Sequence, residues 1–333
     1  MIATPVASNG LVAGALAPGV AQIGGGYLPQ LLNYLANGVV LSAIIVLGGI
    51  GLSLVYSIAG FANFAHGDTM TVGAYAGIVT LGAVGTAGPE LFALPLGFYA
   101  ALLAGIAVAA VVAVATHYLV YEPLDVDSIG LLITSIGVAF VYRALVQLRF
   151  GTGTREYDIT VLRPIPWLED LTAITLTEHE VAIVLVATIL VVALHVVLQY
   201  TTLGRTMRAT ADNESLAKVS GIRTDRVITS TWLIGAGLAG AAGVFLGLYN
   251  QLSPRMGFNL LLVVFAAVIL GGIGSVYGAM LGGFVIGMVN RLTPVLSDVG
   301  IPIEPAYANA IAFVIMVLVL LVRPTGIAGE EVT

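Results

Sequence analysis

The sequence contains no cysteine, which excludes disulfides, thiolate metal sites and a nucleophilic thiol but leaves the compartment open. Charge is nearly as scarce. Asp, Glu, Lys and Arg make up 9% of 333 residues, against roughly a quarter in a soluble domain. No Asp, Glu, Lys or Arg precedes Asp68, no Lys or Arg precedes Arg143, and Lys218 is the sole lysine. An N-terminus without a basic stretch does not read as a secretory signal peptide. A formal charge of -6 offers nucleic acid no basic stripe. What remains is apolar, 59% of the chain with a mean hydropathy of +1.04, and that excludes a soluble globular enzyme.

A bilayer core of about 30 Å takes roughly 20 apolar residues of helix. Such runs lie near 38–58, 67–84, 97–119, 128–148, 180–199, 227–249, 258–273, 276–291 and 305–322. The expected fold is an all-α integral membrane protein, a polytopic bundle of about eight to ten transmembrane helices. The seventh and eighth runs are short and separated by a Gly-rich turn, so they read as two thin spans or a pair of half-helices. Residues 11–27 contain Pro18 and Gly24 to Gly26 and read better as an extension than as a span. Residues 1–29 are an N-terminal extension of unassigned role.

The polar connections differ in sign. Residues 150–180 carry Glu156, Asp158, Glu169, Asp170, Glu178 and Glu180 against Arg155 and Arg163. Residues 201–226 carry Arg205, Arg208, Lys218, Arg223 and Arg226 against Asp212, Glu214 and Asp225. The positive-inside rule places this basic loop in the cytoplasm. Counting spans from it puts 150–179 outside and the tail with Arg323 inside.

Three segments stand out. In the basic loop, Thr210 or Asp212 is a candidate N-cap and Gly221 a helix stop. A helix that short is marginal alone in water, and Leu216, Ala217 and Val219 offer an apolar face for docking; the plainer reading is a solvated linker. The run Gly271 to Gly283 has glycines at spacing four, which lets helices pack closely in lipid. Its cluster of Gly271, Gly272 and Gly274 around Ser275 suggests a break lining a path. Asn63, His66 and Asp68 interrupt the first half, either as intramembrane functional groups or as interfacial caps. Arg143 lies toward a span end, from which it can snorkel outward.

Catalytic templates fail. Lys218 precedes Val219, so there is no phosphate-cradling G-x-x-x-x-G-K-[ST] loop, and His179-Glu180 has no second His three residues on. Neither cofactor nor metal is expected, and any ATP hydrolysis falls to separate subunits.

Four motifs in order carry a family resemblance: Gly51-Leu-Ser-Leu-Val-Tyr56 with Asn63-Phe-Ala-His-Gly-Asp68, Gly204-Arg-x-x-Arg-Ala209 continuing to Ser220-Gly-Ile222, Leu270-Gly-Gly-Ile-Gly-Ser-Val-x-Gly-Ala-Met280, and Arg323-Pro-Thr-Gly326. Over about residues 30–328 the chain resembles LivH-type permeases of branched-chain amino-acid ABC importers. The resemblance implies a permease domain over 30–328 in the plasma membrane, ending in a short tail at 329–333. It implies partnership with a second, LivM-type permease, two cytoplasmic ABC ATPases and an external substrate-binding protein. It also implies that residues 201–226 form the ATPase-coupling loop, with Arg205, Arg208, Asn213, Leu216, Ala217 and Gly221 as its candidate residues. Asn63, His66, Asp68, Gly271, Gly272, Gly274 and Ser275 become candidates for the translocation path. Ala217-x-x-x-Gly221 matches the family's docking core, while Ser215-Leu216 replaces its usual Glu-Ala pair, so no salt bridge is carried over. The implied activity is alternating-access import of branched-chain or related amino acids. Related permeases carry urea, short amides or sugars, and a stand-alone channel or secondary transporter of small neutral solutes is the reading from a different class.

Overall fold

The computed structural model describes residues 27–86, 89–92, 94–159, 164–166, 168, 174–298 and 303–329. The expectations for residues 1–26, Arg163, Glu169, Asp170 and the last four residues fall outside these. Helix α1 spans Tyr27–Ala59 and α2 spans Ala65–Val84; a two-residue hairpin, Glu90–Leu91 with Leu94–Pro95, leads into α3, Leu96–Thr116, which continues as a π-turn over His117–Tyr121. Then come α4 (Ser128–Phe150), α5 (Glu178–Tyr200), the short α6 (Thr202–Asp212) and α7 (Glu214–Val219), α8 (Thr224–Tyr249), α9 (Met256–Gly271), α10 (Val276–Asp298) and α11 (Ala308–Val322).

Helices occupy all nine expected runs. Six of the described helices are long and apolar enough to cross a bilayer; of the other three, α2 has 20 residues, and α9 and α11, at 16 and 15 residues, are shorter apolar helices. Helix α1 starts 11 residues before its hydropathy run because polar side chains there bond back along the helix: Asn33 Nδ2 donates to the Pro29 carbonyl at 3.1 Å and Asn37 Nδ2 to that of Asn33 at 3.0 Å. Hydropathy falls where the helix does not.

Helices α1 and α8 form the buried axis. Neither carries a charge along its middle, and α8 presents small residues all round from Gly235 to Gly243, so neighbouring backbones approach closely and dispersion contacts replace the hydrophobic effect that lipid does not supply. Helices α2, α3 and α10 pack on this axis. The outer helices α4, α5 and α11 leave apolar faces exposed, among them Ile133, Leu148, Ile189 and Leu321, as surfaces turned to lipid do.

The two runs expected as thin spans or half-helices are α9, 16 residues long, and α10, 23 residues and long enough to span. They form a tight hairpin: a Cβ on Gly271 would collide with the Gly278 carbonyl, and one on Gly282 with that of Ala267. The turn, Gly272–Ser275, lies at the end of the bundle that carries α6 and α7. Its backbone is closed by the C-terminal tail, where the Ile327 and Ala328 amides donate to the Leu270 and Gly271 carbonyls, both at 2.9 Å.

Candidate functional site

Between α1 and α2 the chain turns back into the bundle. His66 Nε2 meets the Gly48 carbonyl at 2.9 Å, and Gly48 lies 11 residues before the end of α1, or about 16 Å at 1.5 Å per residue. Residues 60–64 therefore climb inward as irregular backbone, and α2 begins two to three turns deep rather than at the helix ends, where the interfacial reading put it. Such backbone survives at depth only when protein satisfies it. Here the Phe64 amide donates to Ser135 Oγ at 2.9 Å and that of Ala65 to Asn63 Oδ1 at 3.0 Å. Below the segment, Phe61 and Tyr121 meet edge to face at 5.2 Å, and Trp232 stacks on Tyr121 and His117 at 5.5 and 5.4 Å. The π-turn after α3 aims Tyr121 inward, where its hydroxyl reaches Asn63 Oδ1 at 3.4 Å.

Asp68, in the first turn of α2, is fully buried and forms a fork with Arg143 of α4: Nε to Oδ1 at 3.0 Å and a second guanidinium nitrogen to Oδ2 at 2.7 Å. The guanidinium also lies 4.5 Å from the ring centre of Phe258. Arg143 thus does not snorkel outward; a buried carboxylate holds it inside, because the pair satisfies both charges where water is absent. Helix α9 starts at the same level, with the Gly257 amide donating to Thr71 Oγ1 at 3.1 Å and a Cβ on Gly67 placed 2.6 Å from the Gly257 carbonyl oxygen. The N-terminal ends of α2 and α9 meet inside the bundle. Asn63, His66 and Asp68 are therefore one buried node, closed by Ser135, Tyr121 and Arg143.

Gly271, Gly272, Gly274 and Ser275 do not join it. A Cβ on Gly274 would lie 3.9 Å from Tyr56 and Ser57, and Tyr56 is eight residues nearer the end of α1 than Gly48, so the turn is about 12 Å from the node's level. Gly274 holds φ +86°, and a Cβ there would make only ordinary contacts at 3.9 Å, whereas one on Gly247 would meet Tyr157 at 2.9 Å. A side chain is thus excluded at Gly274 by backbone conformation and at Gly247 by crowding. Gly274→Val should cost about 1–2 kcal/mol, and Gly274→Asn, which tolerates this region, clearly less. Equal melting temperatures for the two variants would contradict this assignment. Tyr157 itself hangs from the acidic connection and donates to the Ala74 carbonyl at 2.9 Å; burial pushes its phenol above the ordinary range.

The turn instead faces the basic loop. A cavity of about 660 Å³ is bounded by Ser57 of α1, Leu198 of α5, Met207 and Asp212 of α6, Gly274 and Ser275 of the turn, and Gly329 of the tail. Arg208 fixes one wall, its guanidinium bonded to the Leu198 carbonyl near the end of α5, where a cation also complements the helix dipole. Arg205 is exposed.

The loop holds two helices rather than one. Asn213, at φ -161°, interrupts the helix and caps α7 by accepting from the Leu216 amide at 2.8 Å. Thr210 caps nothing; its hydroxyl bonds back to the Thr206 carbonyl at 2.8 Å. Gly221 ends α7 at φ +85°, with the Ile222 amide donating to the Ala217 carbonyl and that of Gly221 to the Lys218 carbonyl, the paired bonds of a Schellman stop. Ala217 is 3% exposed and turned into the protein, while Leu216 and Val219 are 63% and 88% exposed. The apolar face expected from three residues is made by two.

Compared with known proteins, residues 34–320 match the family model described as branched-chain amino acid transport system / permease component. The chain is 33% identical over 305 residues to the high-affinity branched-chain amino acid permease protein LivH of Salmonella typhimurium, covering 90% of this chain and 96% of that one. It is 31% identical to BraD of Pseudomonas aeruginosa over 91% and 98% of the two chains. A probable LivM of Methanocaldococcus jannaschii is 30% identical over 39% of this chain and 41% of its own. No solved structure matches.

Proposed function

The chain belongs to the permease-component family of branched-chain amino-acid transport systems, and on that premise we propose that it forms one half of the membrane path of an ATP-driven importer. It is a multi-pass protein of the cell membrane. The cargo is branched-chain or related amino acids. The partners are a second, LivM-type permease, two cytoplasmic ATPases and an external binding protein.

The observation that carries this reading is α7. Six residues capped at both ends hold Leu216 and Val219 out among exposed polar neighbours, Asn213, Glu214, Ser215, Lys218 and Ser220. Two exposed apolar side chains on so rigid a support suit a groove in a partner. ATP binding closes the ATPase pair, α7 and α6 move with it, and the 660 Å³ cavity between α6 and the α9–α10 turn takes up the displacement. The bundle then alternates between outward- and inward-facing states. Affinity purification of the chain from its native membrane, with identification of what accompanies it, tests the assembly; purification without ATPase subunits would overturn it.

In this assembly the basic end faces the cytoplasm. Because the chain has no native cysteine, single cysteines at Ser215 and Thr154, both exposed, report cleanly. An impermeant thiol reagent should label intact cells at Thr154 and only opened cells at Ser215. The opposite pattern would invert the orientation.

A further inference from the structure

A second cavity lies at the other, acidic end, near the start of α9. Its volume is about 340 Å³, inside the range of about 300–1,000 Å³ typical of small-molecule sites. Asn259, Asn290, Arg291 and Asn309 are among its polar lining residues, and Leu41 and Val263 among its apolar ones. Among the described residues no Asp or Glu lines it.

Arg291 is the unusual member. It lies 15 residues into α10, about 22 Å from that helix's first residue, and so within the span rather than at its mouth. Its guanidinium carbon lies 5.0 Å from the ring centre of Tyr249, and its buried Nε has no hydrogen-bond partner. Among the described residues the carboxylate ion pair is Asp68–Arg143, and none of their acids is ion-paired with Arg291. A cation at membrane depth is costly unless something of opposite sign meets it. The polar groups around it are neutral, the Tyr249 phenol that the guanidinium engages, the Ser253 hydroxyl and side-chain amides, and Asn290 donates to Asn309 at 2.9 Å, which holds two of the amides in place.

We propose that this cavity is a binding site for the carboxylate of an aliphatic amino acid, with Arg291 as its charge partner, the asparagines as orienting groups and Leu41 and Val263 receiving the hydrocarbon. This deepens the importer reading and rests on it for the identity of the ligand. The site lies off the buried node, on the acidic side of the start of α9, where a solute arriving from the external face would first meet the bundle.

The test uses the chain purified with its accompanying subunits, in nanodiscs of phosphatidylcholine. The probes are leucine, 4-methylpentanoate, which keeps the carboxylate and the branched tail without the ammonium, and the neutral 4-methylpentanamide. Both carboxylates should raise the melting temperature with concentration, and the amide should not. Arg291→Met should weaken that response by at least about tenfold in concentration, the loss of one charged hydrogen-bonding partner, and Arg291→Lys should recover part of it. Should Arg291→Met not accumulate as folded protein, Asn309→Leu should show a weakened response in its place. A wild-type response in the folded variant, equal binding of the amide, or stabilisation that appears only with anionic lipid would overturn the site. Leucine uptake by reconstituted transporter separates this from the function itself: uptake that survives Arg291→Met with unchanged binding defeats the site alone, whereas carboxylate binding without uptake in the wild type defeats the importer reading and leaves the site standing.

Discussion

Arg143→Met should cost the folded chain about 3–5 kcal/mol, because it leaves the Asp68 carboxylate buried without its partner. Both oxygens of that carboxylate are held by the guanidinium, at 3.0 and 2.7 Å, and the side chain has no exposed surface. The loss should appear as a lower melting temperature in detergent and a smaller monodisperse fraction after extraction. The double variant Asp68→Asn, Arg143→Met removes the orphaned charge along with the cation and should recover much of the loss, since a neutral pair of similar size often replaces a buried ion pair at little cost. The recovery distinguishes an ion pair from mere packing of Arg143 on Phe258. A double variant as unstable as Arg143→Met would assign the effect to the lost contact with the aromatic ring.

That pair also marks where a sequence stops being informative. Apolar runs locate helices because lipid demands them, and all nine appear where hydropathy placed them. Asp68 is conspicuous for the same reason, as the first acid in the chain. Its partner is not, because Arg143 is 75 residues away and the geometry that joins them is set by how α4 lies on α2. Depth is hidden too: residues 60–64 carry the composition of an ordinary loop, and only the contacts of His66 with Gly48 and Phe64 with Ser135 place them inside. The glycines of 271–283 were legible as close packing, and that is how Gly271 and Gly282 serve. The orientation of α7 was illegible for a simpler reason, since six residues are under two turns and too few to reveal a period. Arg291 gave a weak signal, an arginine beside Asn290 within an apolar run, which the count of spans absorbed.

The short helix gives the second large effect. The proposed docking through α7 rests on Leu216 and Val219, so in that assembly Leu216→Asp with Val219→Asp places two charges in the joint while leaving the chain's own core untouched. Exposed substitutions normally shift stability within about 0.5 kcal/mol, and the double variant should reach the membrane at wild-type levels. Desolvating unpaired carboxylates against an ATPase groove is far costlier, so substrate-stimulated ATP hydrolysis and uptake should fall together by at least about tenfold. Ala217→Asp should behave differently. At 3% exposure it buries its charge within the permease itself, and the expected result is less folded protein rather than uncoupled protein. Glu214→Asp, which keeps its charge at an exposed position, serves as the control and should change neither quantity. Wild-type stimulation of ATP hydrolysis in the Leu216→Asp, Val219→Asp chain would remove α7 from the joint. Loss of hydrolysis with uptake intact would show that transport draws on another source of energy, because a coupling contact cannot fail for one and hold for the other.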